Sequence, residues 1–441
     1  MNLWKNTYPI IVSCAKGLAP YTEQELKGMG YSIIEATENT VVIRGGMRDM
    51  MRLNLHLRTA HRVLAPLLRT ECYNLRQLYD DVASIDWENL LDPDGYFTVS
   101  SVVHNSTIRD TRMPSLVTKD AIADRMRIYC AGSRPDSGPE TFGASVFVYW
   151  EDIEMIVYLD TTGAPLSKRG YRRIPGEAPM QETLAAGCIL ASEWDPTTPF
   201  ISPMCGSGTP AIEAALIALN RAPGSFKSHF GFMSIKGYDL KLPNERLKNP
   251  GRRRFGGASP AEIWKEMVQE ARDAETPDRV PPILASDISE GAVEIANMNA
   301  IAAGVSRYIS FSVNDFADSK IPPPPGVVFI NPAYGERLGA DDDLVALYGR
   351  IGDFFKQRCV GYTGCVLTGN MALSRKVGLR SKHRIPFYNG PIECRMMVYD
   401  LYEGGKTEDV PSDAEIIAEL PESQRAPEPP AAADDVLSTG V

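Results

Sequence analysis

Long apolar runs are missing from these 441 residues, and none approaches the roughly 18 consecutive apolar positions of a membrane span. The opening Met1-Asn2-Leu3-Trp4-Lys5-Asn6 lacks the apolar core of a secretory signal. Eight cysteines are scattered with no Cys-x-x-Cys among them, and the five histidines form no pair on a helix face. That usage predicts a reducing cytosol, no metal and no membrane partner. A Gly-Lys-Ser/Thr turn is also missing, so a nucleoside triphosphate has no phosphate cradle.

Excess positive charge is the next absence. A net charge of −10 is the wrong sign for a nucleic-acid binder. The segment from Glu403 to Val441 accounts for most of it, with ten acidic residues against Lys406 and Arg425. Its Pro, Ala, Glu and Asp content predicts a disordered acidic tail over 403–441. In the rest, basic residues cluster: Arg44, Arg48, Arg52, Arg58, Arg62, Arg69 and Arg76, then Lys168-Arg169-Gly170-Tyr171-Arg172-Arg173, then Arg252-Arg253-Arg254. Such patches serve phosphate contact better than the total charge suggests. Ordinary solvated charge is the alternative for any single arginine.

What is present reads as three units. Residues 1–70 alternate strand and helix in a βαββαβ order, with strands at Pro9–Cys14, Tyr31–Ile34, Thr40–Ile43 and Arg62–Leu68. That order suits a ferredoxin-like sheet. In 71–161, Leu75, Leu78, Tyr79 and Val82 mark an amphipathic helix, with Asn74 and Gln77 placed as a capping box. Ile122, Met126 and Tyr129 stripe a second helix as core. Ala144–Trp150 and Ile153–Leu159 pair as a hairpin across Glu151-Asp152. From 162 to 402 the pattern is α/β, with strands at Phe200–Met204, Ile283–Asp287, Ile309–Val313 and Val327–Ile330. The stretch 227–282 is long for one connection, and part of it reads as a mobile surface insertion.

Chemistry-bearing residues follow successive strands of this last unit. Met204-Cys205-Gly206-Ser207-Gly208-Thr209 joins a strand to a helix, where glycines admit close approach and free N–H groups point outward. Asp287 ends the next strand, placed to accept from both hydroxyls of a ribose. Asp315 ends the one after, where an adenine amino group would sit. Either aspartate alone is as readily a helix cap, although Ser289 is the better cap beside Asp287. Asn331-Pro332-Ala333-Tyr334 closes Val327–Ile330. It offers the Asn331 side-chain carbonyl, the Pro332 backbone carbonyl and the Tyr334 ring in one place, which suits an exocyclic amino group on a stacked heterocycle. In an open α/β sheet these strand ends line one crevice.

Taken together, these blocks resemble the bacterial THUMP-domain class I methyltransferases that make N2-methylguanine in large-subunit ribosomal RNA. The resemblance runs through Lys168–Arg172, Glu177–Ala186, Pro203–Thr209, Ser286–Ile288, Asn331–Gly339, Leu367–Asn370 and Tyr388–Gly390. It implies a ferredoxin-like domain, an α+β THUMP domain that grips RNA, and a Rossmann-like methyltransferase domain with an antiparallel last strand within Arg395–Leu401. It implies S-adenosyl-L-methionine as cofactor, held by Ser202, Met204, Cys205, Gly206, Gly208, Thr209, Asp287, Ile288 and Asp315, with Asn331, Pro332 and Tyr334 catalytic. Arg62, Lys168, Arg169, Arg172 and Arg337 are the RNA-facing candidates, with loop bracing as the alternative for Arg337. The family pattern has Asp where Ser202 stands and a second Pro where Ala333 stands. The first change removes a carboxylate from beside the cofactor's ammonium. The second loosens the loop.

Two readings compete with an enzyme acting on ribosomal RNA: the same chemistry on tRNA, and a catalytically weak RNA-binding or ribosome-assembly factor. An adenine-N6 DNA methyltransferase shares Asn-Pro-x-Tyr, but the resemblance before residue 162 argues against it. Cys205 has two readings as well, a pyrimidine-attacking nucleophile or a small buried thiol, and its place in the turn favours the thiol.

Overall fold

The computed structural model describes residues 3–4, 6–106, 108–140, 142–172, 174, 180–239, 258–332 and 341–402. The segment 240–257, Ala333 to Ala340, and the acidic stretch from Glu403 onward lie outside the described residues. So do Tyr334, Arg337, the Arg252–Arg254 triplet and the central part of the expected insertion.

The chain opens with β1 (Tyr8–Cys14), α1 (Ala19–Gly28), β2 (Ile33–Ala36), β3 (Thr40–Gly45), α2 (Met47–His56) and β4 (Ala60–Glu71). Buried residues alternate along β1, as a half-covered antiparallel strand requires. The spatial order β2-β3-β1-β4 matches the ferredoxin-like expectation. β4 is longer than its apolar pattern suggests. Its first part pairs with β1, and from Leu64 to Glu71 it pairs with β8 (Glu154–Asp160), with a register shift between Pro66 and Leu68. One sheet of eight strands therefore runs unbroken across residue 70, in the order β2-β3-β1-β4-β8-β7-β5-β6.

Its remaining elements are α3 (Leu75–Ala83), β5 (Tyr96–His104), α4 (Met113–Tyr129), β6 (Asp136–Ser137) and β7 (Ala144–Glu151). Asn74 caps α3 by accepting from Gln77 N, while the Gln77 side-chain oxygen accepts from Tyr73 N, one residue earlier than the expected box. The β7–β8 turn has Asp152 at positive φ, which a two-residue hairpin demands. Tyr129 departs from its expected core position: it is 58% exposed and carries the Arg125 guanidinium 3.9 Å above its ring. The buried stripe ends at Met126, and Tyr129 is the last residue of α4.

The second sheet has the order β11-β10-β9-β12-β13-β15-β14. Its strands are β9 (Phe200–Ser202), β10 (Ile283–Asp287), β11 (Ile309–Val313), β12 (Val327–Ile330), β13 (Thr363–Thr368), β14 (His383–Asn389) and β15 (Ile392–Asp400). β9 through β13 are parallel, and β15 runs antiparallel between β13 and β14. Helices α5 (Glu182–Ala191), α6 (Thr209–Ala218), α7 (Pro260–Asp273), α8 (Glu290–Ala302) and α9 (Asp341–Arg358) belong to this part of the chain. All four residues of β12 are buried, as a central parallel strand demands. α7, capped by Ser259 with Glu262, fills part of the long connection and sets Trp264 against Phe230 and Phe232.

The first sheet is fastened to the second at several points. Gly17, at φ +87, lets the chain pass so close to β14 that a Cβ there would sit 2.6 Å from Pro386 O. Leu18 abuts Gly187 of α5, and the Tyr21 and Phe387 rings lie 5.7 Å apart.

Candidate active site

Parallel register sets the crevice. Ala285 of β10 stands opposite Ser202, and Val328 of β12 opposite Ile201, so β9 is flanked on both sides. Asp287 and Asn331 then project at the carboxyl ends of the two strands beside it, on either side of the turn that follows Ser202. Ser202 itself is buried.

The turn is shaped for close approach. Gly206 and Gly208 have φ of +51 and +85, and a Cβ on Gly208 would meet the Ala296 Cβ of α8 at 2.8 Å. Gly206 N donates to Asp287 Oδ2 at 3.0 Å, and Ser289 N donates to Asp287 Oδ1 at 3.1 Å. Ser289, not Asp287, caps α8 through Ala292 N. Asp287 therefore retains lone pairs on both oxygens. Ile288, expected against the cofactor, is 74% exposed, an apolar face turned outward beside that carboxylate. Met204 is half-buried and packs against the smaller of the two apolar clusters. Burial, with Asp287 nearby, pushes the Cys205 thiol up to about 12. It stays protonated at neutral pH and is no nucleophile.

Asp315 caps the short turn at Phe316–Asp318 through Ala317 N, and both its oxygens accept from Arg350 Nη2 at 2.8 and 2.7 Å. That guanidinium holds its carboxyl below the usual carboxylate range.

Asn331 Oδ1 is fully buried and, among the described residues, accepts no hydrogen bond. Such an acceptor costs about 1–3 kcal/mol unless a donor arrives from outside. Pro332, beside it, is buried. Tyr334 lies outside the described residues.

The basic cluster divides sharply. Arg169 is corrected from RNA contact to internal support: at 1% exposure it pairs with Glu213 of α6 at 3.4 Å and donates to Leu166 O and Arg58 O. Tyr171 OH donates to Glu213 at 2.9 Å. Arg172 faces inward too, donating to Glu182, Met180 O and Thr209 Oγ1. Arg62 is tied to buried Asp160 and to Gly163 O. Lys168 alone of these four is exposed. Sequence reasoning passed over Glu213, Asn299 and Arg350. A single Glu within the apolar run Ala-Ile-Glu-Ala-Ala-Leu-Ile-Ala was the signal for the first. Asn299 donates to Ser207 O across the glycine turn.

Comparison with known proteins places this geometry. Residues 169–398, slightly more than half of the 441, match the family described as RMKL-like, methyltransferase domain. Residues 9–64 match the RlmL ferredoxin-like domain and 72–136 the THUMP domain. A putative RNA methyltransferase of Synechocystis, slr0064, is 31% identical over 90% of this chain and 97% of its own length. The ribosomal RNA large subunit methyltransferase K/L of Methylococcus capsulatus is 33% identical over 90% of this chain, which spans about half (51%) of that longer protein. The crystal structure of SMU.472, a putative methyltransferase complexed with SAH, superimposes with a TM-score of 0.76 at 27% identity, covering 91% of this chain and 100% of that one. Among the described residues no group of His, Cys, Asp or Glu could hold a metal ion, and no helix is long and apolar enough to cross a membrane. The second sheet thus has the class I methyltransferase fold, and the chain belongs to the RMKL-like methyltransferase family.

Proposed function

We propose that this chain uses S-adenosyl-L-methionine to methylate the exocyclic N2 of a guanine in RNA, with large-subunit ribosomal RNA as the substrate its K/L relatives favour. The observation that carries the reading is the buried, unanswered Asn331 Oδ1 at the end of β12. It stands in a row with the glycine turn and with Asp287, whose carboxylate suits a ribose. Cofactor fit rests on that turn: positive φ at Gly206 and Gly208, no side chain in the way, and an acidic residue two positions past the level of Ser202 on the neighbouring strand.

When bound, S-adenosyl-L-methionine supplies an electrophilic methyl group. The chain's own work is positioning. Asn331 Oδ1 accepts one hydrogen of the target amino group, and the Pro332 carbonyl accepts the other. Proline has no N–H to compete for that space. With both hydrogens held, the nitrogen lone pair is withdrawn from the ring and aimed outward. Alignment of this kind contributes about 7–11 kcal/mol to a reaction with a neutral leaving group. Tyr334 stacks on the base, worth about 1–3 kcal/mol by analogy with single-strand binders. The base must leave its helix to reach this corner, at a cost of a few kcal/mol. Released protons go to water. Lys168 and Arg337 remain the RNA-facing candidates. Residues 1–70, 71–161 and 162–402 divide the labour as ferredoxin-like support, THUMP grip and catalysis.

Incubation of total RNA with the protein and labelled cofactor, followed by nucleoside mass spectrometry, tests this. N2-methylguanosine in ribosomal RNA is the expected product. N6-methyladenosine instead would move the assignment to the other amino-bearing purine, and label in tRNA would move the substrate. If Asn331→Ala methylates as fast as wild type, the catalytic assignment fails. Ser202 keeps one further reading in play, a weakly catalytic RNA-binding factor, which predicts no cofactor binding in a calorimetric titration.

A further inference from the structure

Arg172 belongs to a basic cluster, yet its guanidinium is turned into the protein. Its side chain is 15% exposed. Nε donates to Glu182 Oε1 at 3.1 Å, and Nη2 donates to Met180 O at 2.6 Å and to Thr209 Oγ1 at 3.1 Å. Thr209 is the first residue of α6, directly after the glycine turn. Nη1 is fully buried and has no partner among the described residues. An orphaned N–H on a guanidinium is the cationic counterpart of the orphaned carbonyl on Asn331, and each needs a ligand of matching polarity.

The segment that carries Arg172 lies across the turn. Asn299 Nδ2 of α8 donates both to Ile174 O, at 3.4 Å, and to Ser207 O, at 3.1 Å. Through its bond to Thr209 Oγ1, Arg172 is held beside the residue that follows the glycine turn. Beside this turn, β9 ends in Ser202, which has no charge to offer an ammonium.

We infer that Arg172, through Nη1, binds the carboxylate of the cofactor's amino-acid end, so that this enzyme recognises that end chiefly by its carboxylate and little by its ammonium. The inference rests on the proposed cofactor reading and deepens it. Guanidinium binds carboxylate through short charge-assisted hydrogen bonds. Glu182 neutralises part of the guanidinium charge and, with Met180 O, fixes its plane, leaving Nη1 without a partner among the described residues.

Calorimetric titration of the full chain with three probes tests it: S-adenosylhomocysteine, its decarboxylated analogue that keeps the ammonium, and methylthioadenosine, which lacks the whole amino-acid end. Wild type is expected to bind S-adenosylhomocysteine roughly 10–100-fold more tightly than either other probe, the range for one charge-assisted hydrogen-bonded contact. The decarboxylated analogue and methylthioadenosine should bind within about threefold of each other. In Arg172→Met the preference for the carboxylate should vanish while methylthioadenosine binds as before. Arg172→Lys should recover part of it. Equal binding of all three probes by wild type overturns the inference and needs no variant. A loss in Arg172→Met that is the same for every probe also overturns it, showing that Arg172 only braces Thr209. If wild type binds none of the three, the cofactor reading itself fails.

Discussion

Around the middle of α6 a charge is buried and answered; at the end of β12 an acceptor is buried and left open. Glu213 is 0% exposed, yet Arg169 and Tyr171 satisfy both its oxygens. Asn331 Oδ1 is equally hidden and has no partner among the described residues. Burial alone does not separate support from function here, and an unanswered atom counts only where, as at Asn331, it stands among the strand ends of the crevice. A closed set of partners fixes α6 and the glycine turn ahead of it. The open oxygen marks where a ligand's donor is expected. Arg58, from the first sheet's side, donates through Nη2 to Arg221 O just past the end of α6 at 2.9 Å, while its buried Nη1 has no partner among the described residues.

The largest expected effect breaks the closed set. Glu213→Ala leaves Arg169 buried and unpaired, and should cost about 3–5 kcal/mol of folding stability by urea denaturation. Replacing both at once, Glu213→Leu with Arg169→Met, should recover much of that loss, because two apolar side chains need no partner. Should Glu213→Ala prove no less stable than the double variant, the ion pair is not what holds this region.

Asn331→Ala should behave in the opposite way. Removing an unsatisfied acceptor frees no partner, so the melting temperature should stay within a degree or two or rise. Turnover with saturating cofactor and RNA should fall about 10²–10³-fold, the scale seen when one preorganised hydrogen-bonding group is lost from an active site. Stability loss comparable to Glu213→Ala would erase the distinction drawn between the two regions.

Next in size is Gly208→Ala, which touches both. The residue has φ +85, and a Cβ there would lie 2.8 Å from the Ala296 Cβ and 3.1 Å from its Cα. Strain of this kind costs on the order of 1–3 kcal/mol. Relief requires α8 to move away from the turn, so cofactor affinity should drop by calorimetry while RNA binding is unchanged in a gel-shift assay.

The same distinction explains what could be read from sequence. The strands Ile283–Asp287, Ile309–Val313 and Val327–Ile330 were legible to the residue, since short apolar runs ending in a polar residue leave little choice of boundary. Their ends carry the site, so its outline was legible too. β4 was legible only to Leu68, because Arg69-Thr70-Glu71 is polar; a register shift beside Pro66 lets pairing to β8 continue to Glu71. Arg169 was misread because Lys168–Arg173 has the composition of a surface patch. Its partner lies 44 residues away on α6, and no local pattern links them. Tyr129 fell on the apolar stripe by spacing, but it is the last residue of α4, and spacing does not say where a helix's cover ends. Asp315 was placed at its strand end correctly, while its tie to Arg350 on α9 depends on how that helix packs.

That tie supplies the smallest and most pH-dependent effect. Arg350 holds the Asp315 carboxyl below the usual range, with Ala317 N adding to the shift and partial burial opposing it. A carboxyl more acidic in the folded chain than in the unfolded one stabilises the fold above its unfolded value of about 3.9. The contribution is lost as pH falls through the lower folded value. Asp315 is largely covered but Arg350 is half exposed, so solvent and salt hold the pair to under about 1 kcal/mol. Asp315→Asn should therefore be slightly less stable than wild type at pH 7, and the two denaturation curves should converge towards pH 3. The gap at pH 7 should also narrow in 1 M salt, where charges this exposed are screened within about 3 Å. A gap that persists unchanged at pH 3 would mean that the cap on Ala317, which asparagine imitates imperfectly, outweighs the charge, and would move Asp315 into the closed class with Glu213.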